Sequence, residues 1–103
     1  MKKLFISQPM RGLTDEEILK ERERIHKEAG EIVGKPLELI DSFFDDDTGF
    51  PENANLPVFY LGKSISLLAE ADIAYFGRGW REARGCIIEN TVAREYGITV
   101  MEE

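Results

Sequence analysis

A single cysteine, Cys86, stands among 103 residues, so no internal disulfide can form and a reducing, cytoplasmic setting fits. There is likewise one histidine, His26. One of each excludes a metal centre built from Cys and His clusters, and no cofactor is expected. Basic residues are in deficit: 13 Lys and Arg against 20 Asp and Glu leave a net charge of −7. That balance argues against nucleic acid polymers and anionic membranes as partners, because both need a basic surface. A small anionic ligand stays open, since local arginines and backbone N–H groups can hold one at any net charge. No run of ~20 apolar residues exists, so no membrane span is expected, and Lys2-Lys3 has no apolar run behind it to make a signal peptide. Internal repeats and low-complexity tracts are missing too.

What is present is enough for one domain, residues 1–103. The start, Lys2 to Ser7, reads as a short apolar strand. A loop marked by Pro9 and Gly12 follows. Thr14 is a good N-cap, and Glu17 three residues later completes a capping box for a helix to about Val33. Ile18, Ile25, Ala29 and Ile32 give that helix its apolar stripe, and Gly34 and Pro36 end it. Leu37 to Asp41 reads as a second strand, and Ser42 to Asn55 as a long polar loop. Pro57 starts a second helix as its first residue, with Leu61, Ile65 and Leu68 buried. Ile73 to Phe76 is a third strand buried on both faces. Gly77 to Arg84 is a glycine-rich loop, residues 85–96 a third helix closed by Gly97, and Ile98 to Met101 a last strand.

The alternation β-α-β-α-β-α-β predicts an α/β fold, a three-layer flavodoxin- or Rossmann-like sandwich. Its four-stranded, mostly parallel sheet takes the order 2-1-3-4, with helices on both faces. Ligands of such sheets bind outside the carboxyl ends of the strands, at the switch in strand order. Here that switch faces the loops Ser7–Leu13 and Gly77–Gly85.

One residue breaks the pattern. On a helical wheel of residues 85–96, Cys86, Ile88, Val92, Ala93 and Tyr96 share an apolar arc, and Glu89 falls near its middle. A carboxylate facing the core is costly unless it is paired or faces a cleft. Glu89 is therefore either a nucleophile or base in a cleft, or a structural carboxylate pairing with Arg11 or Arg84. Those two arginines lie near helix starts and either hold an anion or are solvated. Trp80 either stacks on a planar base or anchors its loop against the domain. Phe43, Phe44 and Phe50 flank the acidic run Asp45-Asp46-Asp47 as a lid or as packing. That run lacks the spacing of a calcium loop and reads as solvated; Asp41 is the better-placed carboxylate. Cys86 reads as a small core residue and His26 as a surface one.

The segments Ala71-Asp72-Ile73-Ala74-Tyr75-Phe76, Arg84-Gly85-Cys86-Ile87-Ile88-Glu89 and Ala93-Arg94-Glu95-Tyr96-Gly97 resemble the nucleoside 2-deoxyribosyltransferase-like superfamily. The opening Phe5-Ile6-Ser7-Gln8-Pro9-Met10-Arg11-Gly12 resembles a small group within it, domain of unknown function 4406. The resemblance implies a nucleophilic role for Glu89 on the anomeric carbon of a nucleoside, with chemistry like that of retaining glycosidases. It implies a 5′-phosphate site at Arg11-Gly12, and self-association, because relatives build sites across subunits. Where relatives carry an Asp at one position and an Asp or a Ser at another, which bind the sugar and help protonate the leaving base, this chain has Ser64 and Ala83. Asp41, Glu82 or the acidic loop would then assist the leaving base. The candidate substrate-binding residues are Ser7, Pro9, Met10, Arg11 and Gly12 in the first loop, Asp41, Ser64, and Trp80, Arg84 and Gly85. The expected partner is a nucleoside or nucleotide, bound for N-glycosidic cleavage or transfer, or bound without turnover by a regulatory module.

Overall fold

Side-chain alternation along two strands sorts the core into two layers. On β1 (Lys3–Ser7), Leu4 and Ile6 point to one face and Phe5 to the other. On β3 (Ile73–Phe76), Ile73 and Tyr75 join the first face, and Ala74 and Phe76 the second. The computed structural model describes residues 1–43 and 51–103. Phe44, Phe50 and the run Asp45 to Asp47 lie outside the described residues; Phe43 is half-buried.

β1 pairs in parallel with β3, Leu4 opposite Ile73 and Ser7 opposite Phe76. On its other side β1 pairs with β2 (Glu38–Leu39), and β3 pairs with β4 (Thr99–Glu102). All three pairings are parallel, as the alternation predicts, and the order is the expected flavodoxin-like 2-1-3-4. β2 is shorter than the expected strand from Leu37 to Asp41, and β4 begins one residue later than expected.

α1 (Asp15–Val33) carries the predicted capping box: Thr14 accepts from the Glu17 amide, and Glu17 accepts from the Thr14 amide. Gly34 ends it in the left-handed region, at φ +81. Its inward stripe differs from expectation. Ile18, Arg22, Ile25 and Ala29 are buried, while Ile32 is exposed and Val33 packs inward in its place. Arg22 reaches the end of β2, where its Nη2 donates to the Ile40 carbonyl at 3.3 Å. His26, expected on the surface, is half-buried with Nε2 2.7 Å from the Leu37 carbonyl oxygen.

α2 (Leu56–Leu68) is capped by Asn55, whose side chain accepts from the Val58 amide, so Pro57 stands second in the helix rather than first. Leu68 is buried, whereas Leu61 and Ile65 are half-buried. α3 (Arg84–Glu95) starts one residue earlier than expected, after a short 3-10 helix at Trp80–Glu82. Leu68, Cys86 and Ala93 from these two helices pack with Phe5, Ala74 and Phe76 on one face of the sheet; Ile25 and Ala29 of α1 cover the other. Fully burying a side chain such as Phe5 or Leu4 stabilises by about 1.5–3 kcal/mol, so the two layers dominate folding.

Candidate functional site

Beyond the end of β3 the chain needs room. A Cβ at Gly77 would come within 3.1 Å of the Ile25 side chain and 3.4 Å of the Gln8 Cβ. Gly79 has φ +81 and lies against the Pro9 ring. These two glycines let the loop after β3 press onto the loop after β1. The Gly77 amide extends the ladder by donating to the Ser7 carbonyl at 2.8 Å. Ser7, last residue of β1, is thereby fixed with its side chain toward α3.

α3 turns Cys86, Glu89, Asn90 and Ala93 inward, spaced i, i+3, i+4, i+7. The expected arc is thus rotated by roughly a quarter turn. Ile88 is 39% and Tyr96 81% exposed, outside the buried face. Two polar contacts set this roll of the helix. Asn90, which is not part of the expected apolar arc, donates to Glu102 at 2.9 Å. Glu89 accepts from the Ser7 hydroxyl, Oγ to Oε1, at 2.7 Å. Glu89 stays on the inward face, now at its edge, and is only 7% exposed. Its partners are serines, not Arg11 or Arg84: among the described residues it makes no ion pair.

Burial pushes the Glu89 carboxyl above its ordinary pKa, because the charged form loses water. Hydrogen bonds from Ser7 and, more weakly, Ser64 oppose that shift by favouring the anion. Burial also pushes the neighbouring Cys86 thiol up, and the Glu89 charge adds to it, so Cys86 stays a thiol at neutral pH.

Glu89 lines a cavity of about 400 Å³ at the carboxyl end of the sheet. Gln8, Pro9 and Met10 form one wall, and Ser42 after β2 a second. α2 contributes Pro57, Tyr60, Leu61 and Ser64, again one face at i, i+3, i+4, i+7. Ala83, Gly85 and Cys86 complete the wall on α3's side. Glu89 is the one carboxylate among these residues, and none of them is Lys or Arg.

The expected site residues divide accordingly. Pro9, Met10, Ser64, Gly85 and Glu89 come together around the cavity, and Ser7 orients Glu89. Arg11, Gly12, Asp41 and Arg84 are exposed and outside its lining. The Asp41 charge counters the lowering that burial imposes on the Arg22 guanidinium. Trp80 is not in a free loop: it is 7% exposed, with its ring 5.6 Å from that of Phe76 and Arg81 stacked over it at 4.4 Å. It anchors the loop. Gln8, Ser42, Pro57, Tyr60 and Leu61 were not expected. The α2 set carried a signal, its helical spacing; Gln8 and Ser42, in irregular segments, carried none.

The chain belongs to the family described as Domain of unknown function (DUF4406), whose model matches residues 2–102. Comparisons with the curated proteins and with the solved structures each found no match.

Proposed function

We propose that this member of the family cleaves the N-glycosidic bond of a nucleoside-type ligand, with Glu89 as nucleophile. One observation carries the reading: a carboxylate buried on α3 lines the cavity at the carboxyl end of a parallel sheet, with Ser7 bound to one of its oxygens at 2.7 Å. The sequence resemblance to the nucleoside 2-deoxyribosyltransferase-like superfamily supports the same role for Glu89. A Glu89 oxygen bonds to the anomeric carbon as the C–N bond breaks. The base leaves with the bonding electron pair and takes up a proton from solvent water, which the hydrolytic water later returns. Water then cleaves the sugar–carboxylate bond, releasing the free sugar and restoring Glu89; a second base in place of water gives transfer. The serine hydrogen bonds favour the ionised nucleophile against the effect of burial.

A second reading is binding without turnover, as in a regulatory module. It is favoured by Glu89 being the one carboxylate among the described cavity residues, so none of them offers a second acid to the departing base. Chromatography of nucleosides incubated with the protein separates the two. Base release that disappears in Glu89→Gln supports cleavage. Binding with no release by the wild type overturns cleavage in favour of the binding module.

A further inference from the structure

Two buried polar groups on the cavity wall have no hydrogen-bond partner among the described residues. Gln8 is 5% exposed, and its amide nitrogen donates to the Ile18 carbonyl at 3.3 Å. A carbonyl only accepts, so this contact fixes which end of the amide is nitrogen. Oε1 is then an acceptor, and it is buried without a partner among the described residues. Ser42, also 5% exposed, has its hydroxyl in the same state. Buried polar atoms are almost always satisfied in folded proteins, so two orphans on one cavity call for a missing partner. Both residues line the same cavity as Glu89.

The charge of the cavity narrows that partner. Among its described lining residues there is a carboxylate and no cation. The α3 N-terminus at Gly85 supplies about half a positive charge, which Glu89 on the same helix outweighs. Arg11 and Arg84 are exposed and outside the lining. Among the described lining residues a phosphate dianion would meet the Glu89 carboxylate and no cation. Neutral hydroxyl and N–H donors would meet the acceptors at Gln8 Oε1 and Glu89, and Ser42 could accept or donate.

We infer that the cavity selects an uncharged, donor-rich ligand, a nucleoside with a free 5′-hydroxyl rather than its 5′-monophosphate, and that Gln8 and Ser42 are the residues that read it. This rests on the proposed reading of the cavity as a nucleoside site and narrows its substrate class.

The test is calorimetric titration of the full chain with adenosine, guanosine, cytidine, uridine, their 2′-deoxy forms and thymidine, each beside its 5′-monophosphate. At least one nucleoside is expected to bind roughly 10-fold or more tightly than its own monophosphate, since like charge in a desolvated site is strongly disfavoured. Gln8→Met and Ser42→Ala are each expected to weaken that nucleoside by roughly 3- to 10-fold, the usual worth of one hydrogen bond. If Gln8→Met does not fold, Ser42→Ala carries the test. A monophosphate that binds as tightly as its nucleoside overturns the inference and leaves the nucleoside-type site standing. Nucleoside affinity unchanged in the folded variants also overturns it. Selective nucleoside binding without base release supports it while overturning the cleavage reading. No binding by any compound at millimolar concentration overturns both.

Discussion

Ser7 and Glu89, 82 positions apart in the chain, meet through a buried hydrogen bond of 2.7 Å. One residue ends β1 and the other sits on the inward face of α3, so the bond ties the sheet's switch point to the helix that bears the charge. Removing it with Ser7→Ala leaves the Glu89 anion short of a donor. A loss of about 1–3 kcal/mol in unfolding free energy is expected at pH 7, the cost of an unsatisfied buried polar group. The loss is expected to shrink near pH 4, where Glu89 is protonated. Urea denaturation at the two pH values checks this.

Glu89 itself makes stability depend on pH. Its folded pKa is raised by burial above the unfolded value of about 4.3. Below that unfolded value both states hold the proton and there is no penalty. As pH climbs from there through the folded pKa, the unfolded state releases its proton first, and the fold loses stability. Cys86, with its thiol also raised, titrates well above this window. Glu89→Gln removes the carboxyl, so the melting temperature of the variant relative to wild type is expected to rise between pH 4 and pH 8. A difference that stays constant across that range contradicts the assignment.

Trp80 is expected to matter for the fold and not for the ligand. Its ring packs with Phe76 in the core cluster, outside the cavity lining. Trp80→Ala should cost about 3–5 kcal/mol by chemical denaturation. Trp80→Phe keeps much of the packing and removes an indole N–H that is buried without a partner among the described residues, so it should cost less and leave nucleoside affinity unchanged. A loss of affinity in folded Trp80→Phe would instead return the residue to the site.

The parts legible in the sequence were those written in apolar periodicity and in local backbone chemistry. The Thr14–Glu17 box and Gly34 bounded α1, and the unbroken run Ile73 to Phe76 marked a strand buried on both faces. The strand–helix alternation pointed to a parallel sheet, which takes the expected flavodoxin-like order, and the wheel put Glu89 on the inward side of its helix. Polar residues that go inside for a partner were not legible. Arg22, Asn90, Gln8 and Ser42 are all buried, and nothing in their neighbours' hydropathy marks them. Asn90 goes inside because Glu102 on the last strand accepts from it, a contact between distant elements. The same blindness turned the expected face of α3 toward Ile88 and Tyr96, both of which are exposed. The share of α2 in the cavity was written at Pro57, Tyr60, Leu61 and Ser64, but the overlapping Leu61–Ile65–Leu68 stripe masks it.

The most direct test of the account is the rate of base release from a nucleoside, followed against pH for wild type and Glu89→Gln. The nucleophile must be ionised and its pKa is raised by burial, so the wild-type rate is expected to climb with pH, with a midpoint above the ordinary carboxylate value. Glu89→Gln is expected to lose roughly 10³-fold or more at every pH, as when a nucleophile is removed and only binding is left. A wild type that releases no base, or a folded variant that releases it as fast as wild type, contradicts the claim that Glu89 attacks the sugar.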